Sequence, residues 1–131
     1  MTPDQIVELH RSVCRTLEPA LEAVVANHVE SGTPVILKGD YLLPATADAI
    51  IKTFATEARI RAVFVSESDE RQLVENFRVR EPGEGEQQGR AKVSALLNAQ
   101  IEEACRSLSL PVLPTRPWEN LLERAVGMTT A

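Results

Sequence analysis

The sequence predicts an α/β fold, a short parallel sheet of about three strands flanked by helices. Two observations carry this expectation. Apolar runs at 35–37, 60–65 and 110–113 are bounded by Gly, Pro or Ser, which is how strands buried on both faces read. Longer stretches with apolar residues at helical spacing separate them, and strand alternating with helix implies right-handed crossovers and a three-layer sandwich. The 131 residues suffice for one domain with a single core, placed at 1–127, and the last residues, 128–131, are expected to be a disordered tail.

The elements follow in order. Thr2-Pro3-Asp4 opens a helix with a hydroxyl cap, a proline in the first turn and an acid at the positive end of the dipole. Ile6, Leu9, Val13 and Leu17 recur along it; Pro19 is expected to kink or restart it, and Gly32 to end it. Pro34-Val35-Ile36-Leu37-Lys38-Gly39-Asp40 reads as a buried strand presenting a carboxylate at its C-terminal end. Ligands of open α/β sheets sit at that end, so Asp40 is a candidate metal or substrate ligand; the competing reading makes it a turn cap. A helix then carries Ile50, Ile51, Phe54 and Ala58, and the strand 60–65 follows. Ser66-Glu67-Ser68-Asp69-Glu70 supplies caps and acids for a helix bearing Leu73, Val74 and Phe77. Residues 78–89, rich in Gly, Glu and Gln, read as an exposed mobile loop. From Arg90 a long helix runs through Val93, Leu97, Ile101 and Leu108, the third strand covers Leu110 to Pro114, and Trp118 opens a last amphipathic helix.

Composition narrows the function classes. The net charge of -5 argues against binding nucleic acid or an anionic membrane, and no apolar run approaches the length of a membrane helix. The start lacks the pattern of a signal peptide, so a cytoplasmic protein is expected. Cys14 and Cys105 fall on apolar helical faces without Cys or His at ligand spacing, so both are expected to be free, buried thiols. Arg78 and Arg80 lead into the predicted loop and Arg90 leads out of it. Arginines rimming a flexible loop suit a lid that neutralises a transferring phosphoryl group; the other reading pairs them with Glu81, Glu84 and Glu86. Arg116-Pro117-Trp118 offers a cation, a rigid turn and a flat ring able to stack on a base; Trp118 can equally plug the last helix into the core.

The run Val35 to Pro44 resembles the "apolar strand, Glu-Gly-Asp, apolar, Pro" segment of P-loop small-molecule kinases of the nucleotide-kinase-like group, within the AAA-type ATPase-like P-loop NTPase fold, including proteins similar to 2-phosphoglycerate kinase. The order of the later motifs, from Ser66 through Arg78-Val79-Arg80-Glu81-Pro82 and Gly89-Arg90 to Arg116-Pro117-Trp118, is similar to that group as well, so the resemblance spans about Thr2 to Val126. It implies an incomplete three-layer P-loop-kinase-like sandwich and transfer of phosphate from ATP, with Mg2+, to a small hydroxyl-bearing acceptor. By the same resemblance Asp40 is an acidic residue near magnesium or substrate, Arg78, Arg80 and Arg90 belong to the lid, and Arg116 and Trp118 border the base. Two departures are plain: Lys38 replaces the Glu, and no Gly-x-x-x-x-Gly-Lys-Ser/Thr loop is present. In that group the phosphate loop precedes everything seen here, and its strand is central, between the strand matching 35–37 and the one matching 62–65. Without it the sheet has facing rows of unpaired backbone groups, to be closed by direct pairing of those two strands, by a second copy, or by a separate chain. The alternative is a non-catalytic binding or oligomerisation module on a reduced kinase scaffold.

Overall fold

The computed structural model describes residues 1–130. Five helices and two strands follow one another as α1 (Pro3–Ser31), α2 (Pro44–Thr53), β1 (Phe64–Ser66), α3 (Glu70–Arg80), α4 (Gln88–Leu108), β2 (Val112–Pro114) and α5 (Leu121–Thr130), among the described residues. Short 3₁₀ turns stand at Pro82–Glu84 and Trp118–Asn120. The fold is mixed α/β, rich in helix, with α4 in contact with α1, α2, α3 and β1.

The start of α1 is built as its residues require. The Thr2 hydroxyl accepts from the Gln5 N–H at 3.2 Å, and the Gln5 side chain accepts from the Thr2 N–H at 2.7 Å, a reciprocal capping box. At the far end Gly32 takes the left-handed φ of 66°, which costs a glycine nothing, and its N–H closes on the carbonyls of His28 and Val29. The helix does not restart at Pro19; α1 runs through it as one element. An interior proline costs about 3 kcal/mol. Val7 and Cys14 are buried before it and Leu21 and Val25 after it, and at roughly 1.5–3 kcal/mol for each fully buried aliphatic side chain one continuous seam outweighs the lost bond.

The first expected strand is absent. Residues 34–38 have no regular secondary structure, and Ile36 is 93% exposed. A β-branched run becomes a strand only when a neighbour takes its backbone groups, and β1 and β2 pair only with each other. The sheet therefore has two strands where about three were expected. They are parallel, with Phe64 opposite Val112, Val65 opposite Leu113 and Ser66 opposite Pro114. The second expected strand contracts to 64–66. Ser66 faces α4 through Glu102, while Val65, on the alternate face, is exposed, so that side of the sheet is left partly open.

Two further expectations change. The loop expected at 78–89 shrinks to 81–87, because α3 continues to Arg80 and α4 begins at Gln88. Leu73, Phe77 and Ala91 form a shared core that clamps the two helices together on either side of this short connection. The expected disordered tail is instead the last turn of α5 as far as Thr130; Ala131 lies outside the described residues. Cys14 and Cys105 are free and buried, as expected. No described helix is long and apolar enough to cross a membrane.

Candidate functional site

A polar cluster gathers at the carboxyl ends of the two parallel strands, where open α/β sheets place their ligands. The β1–β2 register carries Ser66 and Pro114 to the same level, and the Thr115 N–H donates to the Ser66 carbonyl at 3.1 Å. Glu67 and Arg116 thereby meet: Arg116 Nε lies 2.7 Å from Glu67 Oε1, and Nη2 lies 3.2 Å from Oε2. The same guanidinium reaches Asp69 at 3.7 Å and donates to Gln72 at 3.2 Å. Asp69 meanwhile caps α3, accepting from the Arg71 and Gln72 N–H groups. Behind this front, Glu102 of α4 accepts from the Ser66 hydroxyl at 2.7 Å, and Asn98 accepts from the Glu67 N–H at 3.2 Å. Asn98 and Glu102, one turn apart on α4, thus brace the strand end. Arg124 of α5 donates to the carbonyls of Pro114 and Pro117, fixing the chain on which Arg116 is mounted.

Of the residues expected from sequence, Arg116 is in this cluster. Trp118 stands in the following turn and is half exposed, so it does not plug the core. Arg80 and Arg90 come together elsewhere. Both guanidinium groups lie over the Phe77 ring, at 5.4 and 4.2 Å, and both reach Glu81, at 3.9 and 2.5 Å. Hydrogen bonds from Gln87 and then Arg90 hold the Glu81 carboxyl below its ordinary value. Arg78 is turned to a third place, where a two-pronged pair with Glu75 at 2.6 and 3.0 Å lowers that carboxyl. The arginines are therefore cross-links within the α3–α4 hairpin, each facing a carboxylate on its own or the adjoining segment.

Asp40 sits against α1. His10 Nε2 is 2.9 Å from the Asp40 carbonyl, Cys14 Sγ is 3.8 Å from that oxygen and 3.5 Å from the His10 ring. Burial, and secondarily the nearby Asp40 charge, push the Cys14 thiol up, so it stays protonated and serves as a donor. Gly39 makes room for the Tyr41 ring, which lies where a Cβ would be, and the Tyr41 hydroxyl donates to the Lys38 carbonyl. Nothing among the described hydrogen bonds and ion pairs links Asp40 to Arg78, Arg80, Arg90 or Arg116. No group of three or more His, Cys, Asp and Glu side chains able to hold a metal is present among the described residues. The open cavities among the described residues include one of about 470 Å³ along 55–61 with Ile51, and one of about 440 Å³ bordered by Asp69, Glu70, Arg71, Val74 and Gln88; neither contains an expected site residue.

Glu67, Gln72, Asn98 and Glu102 are not singled out as site residues by the sequence pattern. The available signal is the Ser-Glu-Ser-Asp-Glu run directly after an apolar strand; its partners on α4 lie about thirty residues further on. No protein-family model matches the chain, and no curated protein and no solved structure matches it.

Proposed function

We propose that this chain is the substrate-and-lid portion of a P-loop kinase-like phosphotransferase, and that it transfers no phosphate by itself. The completed scaffold would move the γ-phosphoryl group of ATP to a small hydroxyl-bearing acceptor in the cytoplasm. One observation supports the reading above the others: the apolar run 34–37 lies exposed and unpaired while β1 and β2 pair in parallel. In the strand order of such kinases, this run and β1 flank the central strand, and β2 lies beyond β1. With the central strand lacking, β1 and β2 keep each other and the run has no neighbour. That is the pattern here.

The residues present do not fit ATP and Mg2+ on their own. Arg78, Arg80, Arg90 and Arg116 each face a carboxylate, which occupies the donors a phosphate would need and repels its charge. Asp40 belongs to no metal-holding group among the described residues. No catalytic step is therefore assigned to this chain's side chains.

Calorimetric titration of the purified chain with ATP and Mg2+ is expected to show no micromolar binding. Co-expression with a strand–phosphate-loop–helix segment of a P-loop kinase is expected to yield a co-purifying complex that binds ATP. Micromolar, magnesium-dependent binding by the chain alone would refute the reading. A second reading, a non-catalytic binding or oligomerisation module, is favoured by the apolar side chains left exposed on α1 and at Trp118, Leu122 and Val126. Co-expression with the same strand–phosphate-loop–helix segment separates the two: the segment should be captured and the complex should bind ATP under the first reading, and no capture should occur under the second.

A further inference from the structure

α1 carries two apolar seams, and the fold uses one. Val7, Cys14, Leu21 and Val25 are buried. Ile6, Leu9, Val13, Leu17, Ala20 and Val24 form the other seam, and its five larger members each expose between 37 and 53% of their surface. Their spacing is 3-4-4-3-4, so Ile6 and Leu17, Leu9 and Ala20, and Val13 and Val24 are each eleven residues apart. An eleven-residue repeat averages about 3.67 residues per turn, close to the about 3.6 of a straight helix, so the seam stays on one face from end to end. At 1.5 Å per residue it is about 27 Å long.

Charge is sorted just as sharply. At about 100° per residue, Asp4, Glu8, Arg11, Arg15, Glu18 and Glu22 all fall within an arc of about 80°, on the side of the helix opposite this seam. Glu8 is already paired there with Arg15 and Arg11. Alongside the seam, from residue 5 to residue 27, the flank away from the core carries Gln5, Ser12, Thr16, Ala23 and Asn27, none of them charged; Glu30 follows on that flank beyond the end of the seam.

We infer that this seam is a dimer interface, and that its occupant is α1 of a second copy lying antiparallel. The sequence of the seam argues for self-pairing. Turned end for end about residue 15, it superimposes on itself to within one residue. Val13 then meets Leu17, Ile6 meets Val24, and Leu9 meets Ala20, a large side chain opposite a small one. No charge is desolvated and no like charges oppose one another, which a two-fold contact demands because each patch meets its own copy. Antiparallel packing also opposes the two helix dipoles. The patch is on the order of 400 Å², within the roughly 300–600 Å² of the largest apolar patch on a typical monomer, a size that is often functional; two such patches with their polar rims reach the roughly 1,000 Å² of a specific interface. The capped, continuous helix is ordered before it associates, which keeps the entropy lost on docking small. This inference is independent of the phosphotransferase reading and stands if that reading falls.

Sedimentation velocity of the whole chain is expected to show a concentration-dependent dimer. Val13→Lys and Leu17→Glu should each weaken self-association by about tenfold or more while leaving the helical circular dichroism unchanged, because both side chains are exposed. Mixing the two variants should restore a heterodimer. The antiparallel register sets position 13 of one chain against position 17 of the other, so the introduced ammonium meets the introduced carboxylate, whereas parallel packing would keep them apart. The milder Val13→Gln and Leu17→Gln variants give the same reading should a charged variant misfold. A chain that stays monomeric at its highest soluble concentration, a dimer indifferent to both substitutions, or a mixture that fails to re-associate would each overturn the inference.

Discussion

At the scale of single residues, the two cysteines show how one side chain can serve two purposes. Cys105 has no exposed surface, and burial alone raises its thiol. Cys14 is equally buried but has polar company in the Asp40 carbonyl and the His10 ring. Replacing each by serine therefore tests their surroundings. Cys105→Ser places a hydroxyl at a fully buried position whose thiol takes part in none of the described hydrogen bonds, at a cost of about 1–3 kcal/mol. Cys14→Ser is expected to cost less, because the Asp40 carbonyl accepts the hydroxyl proton. Urea unfolding midpoints of the two variants check this ordering; equal losses would mean that the contact with Asp40 contributes nothing. Asp40 itself shows the limit of reading a carboxylate from sequence. What the fold engages is its backbone carbonyl, which pins the segment after α1 back onto that helix.

At the scale of elements, α1 is held by its two ends and one buried seam, and it carries Pro19 as a tolerated defect. Pro19 is exposed and donates no N–H to the carbonyl of Arg15. Pro19→Ala is thus expected to stabilise the chain. The gain is the interior-proline cost of about 3 kcal/mol reduced by about 1 kcal/mol for the freer unfolded chain, or about 2 kcal/mol. A rise in thermal midpoint on a circular dichroism melt checks it, and a fall would mean that the proline shapes the packing of α1 on α4. The α3–α4 hairpin illustrates the opposite case. There the Gly- and Glu-rich stretch reads as mobile, but Phe77 and Ala91 pack across it, and Arg80 and Arg90 cover the Phe77 ring while sharing Glu81. Helical order reaches further into the stretch than its composition indicates, because side chains at both rims have partners that composition does not reveal.

At the scale of the whole molecule, the sheet decides the behaviour. Two short strands joined through an α-helical hairpin leave the 34–38 run with no ladder to enter. Ile36→Lys is accordingly expected to leave the isolated chain's stability within about 0.5 kcal/mol of the parent, as for surface positions in general. The same exchange should weaken capture of any polypeptide that completes the sheet. Chemical denaturation of the isolated variant, followed by pull-down with the completing segment, reads both effects. A loss of more than about 1 kcal/mol in the isolated chain would show that the run is packed. The polar cluster at the strand ends belongs to this scale too, because Glu67 and Arg116 are far apart in sequence and meet only through the β1–β2 register.

The sequence by itself determined the local features: the Thr2 cap, the Gly32 stop, the burial of Cys14 and Cys105, the helical periodicities, and the strand character around Val65 and Leu113. These depend on a residue and its near neighbours, so spacing reports them. Tertiary structure alone decided that α1 passes through Pro19 and that 34–38 is no strand; for the lid arginines it chose, of the two readings the sequence offered, pairing with nearby carboxylates, Glu81 among them. It also decided that Glu67, Asp69, Gln72 and Arg116 form the strand-end cluster. Apart from the arginine pairs of the α3–α4 hairpin, which are local, each of these rests on a partner distant in the chain. A strand exists only beside another strand, and an arginine's role is set by the nearest carboxylate in space.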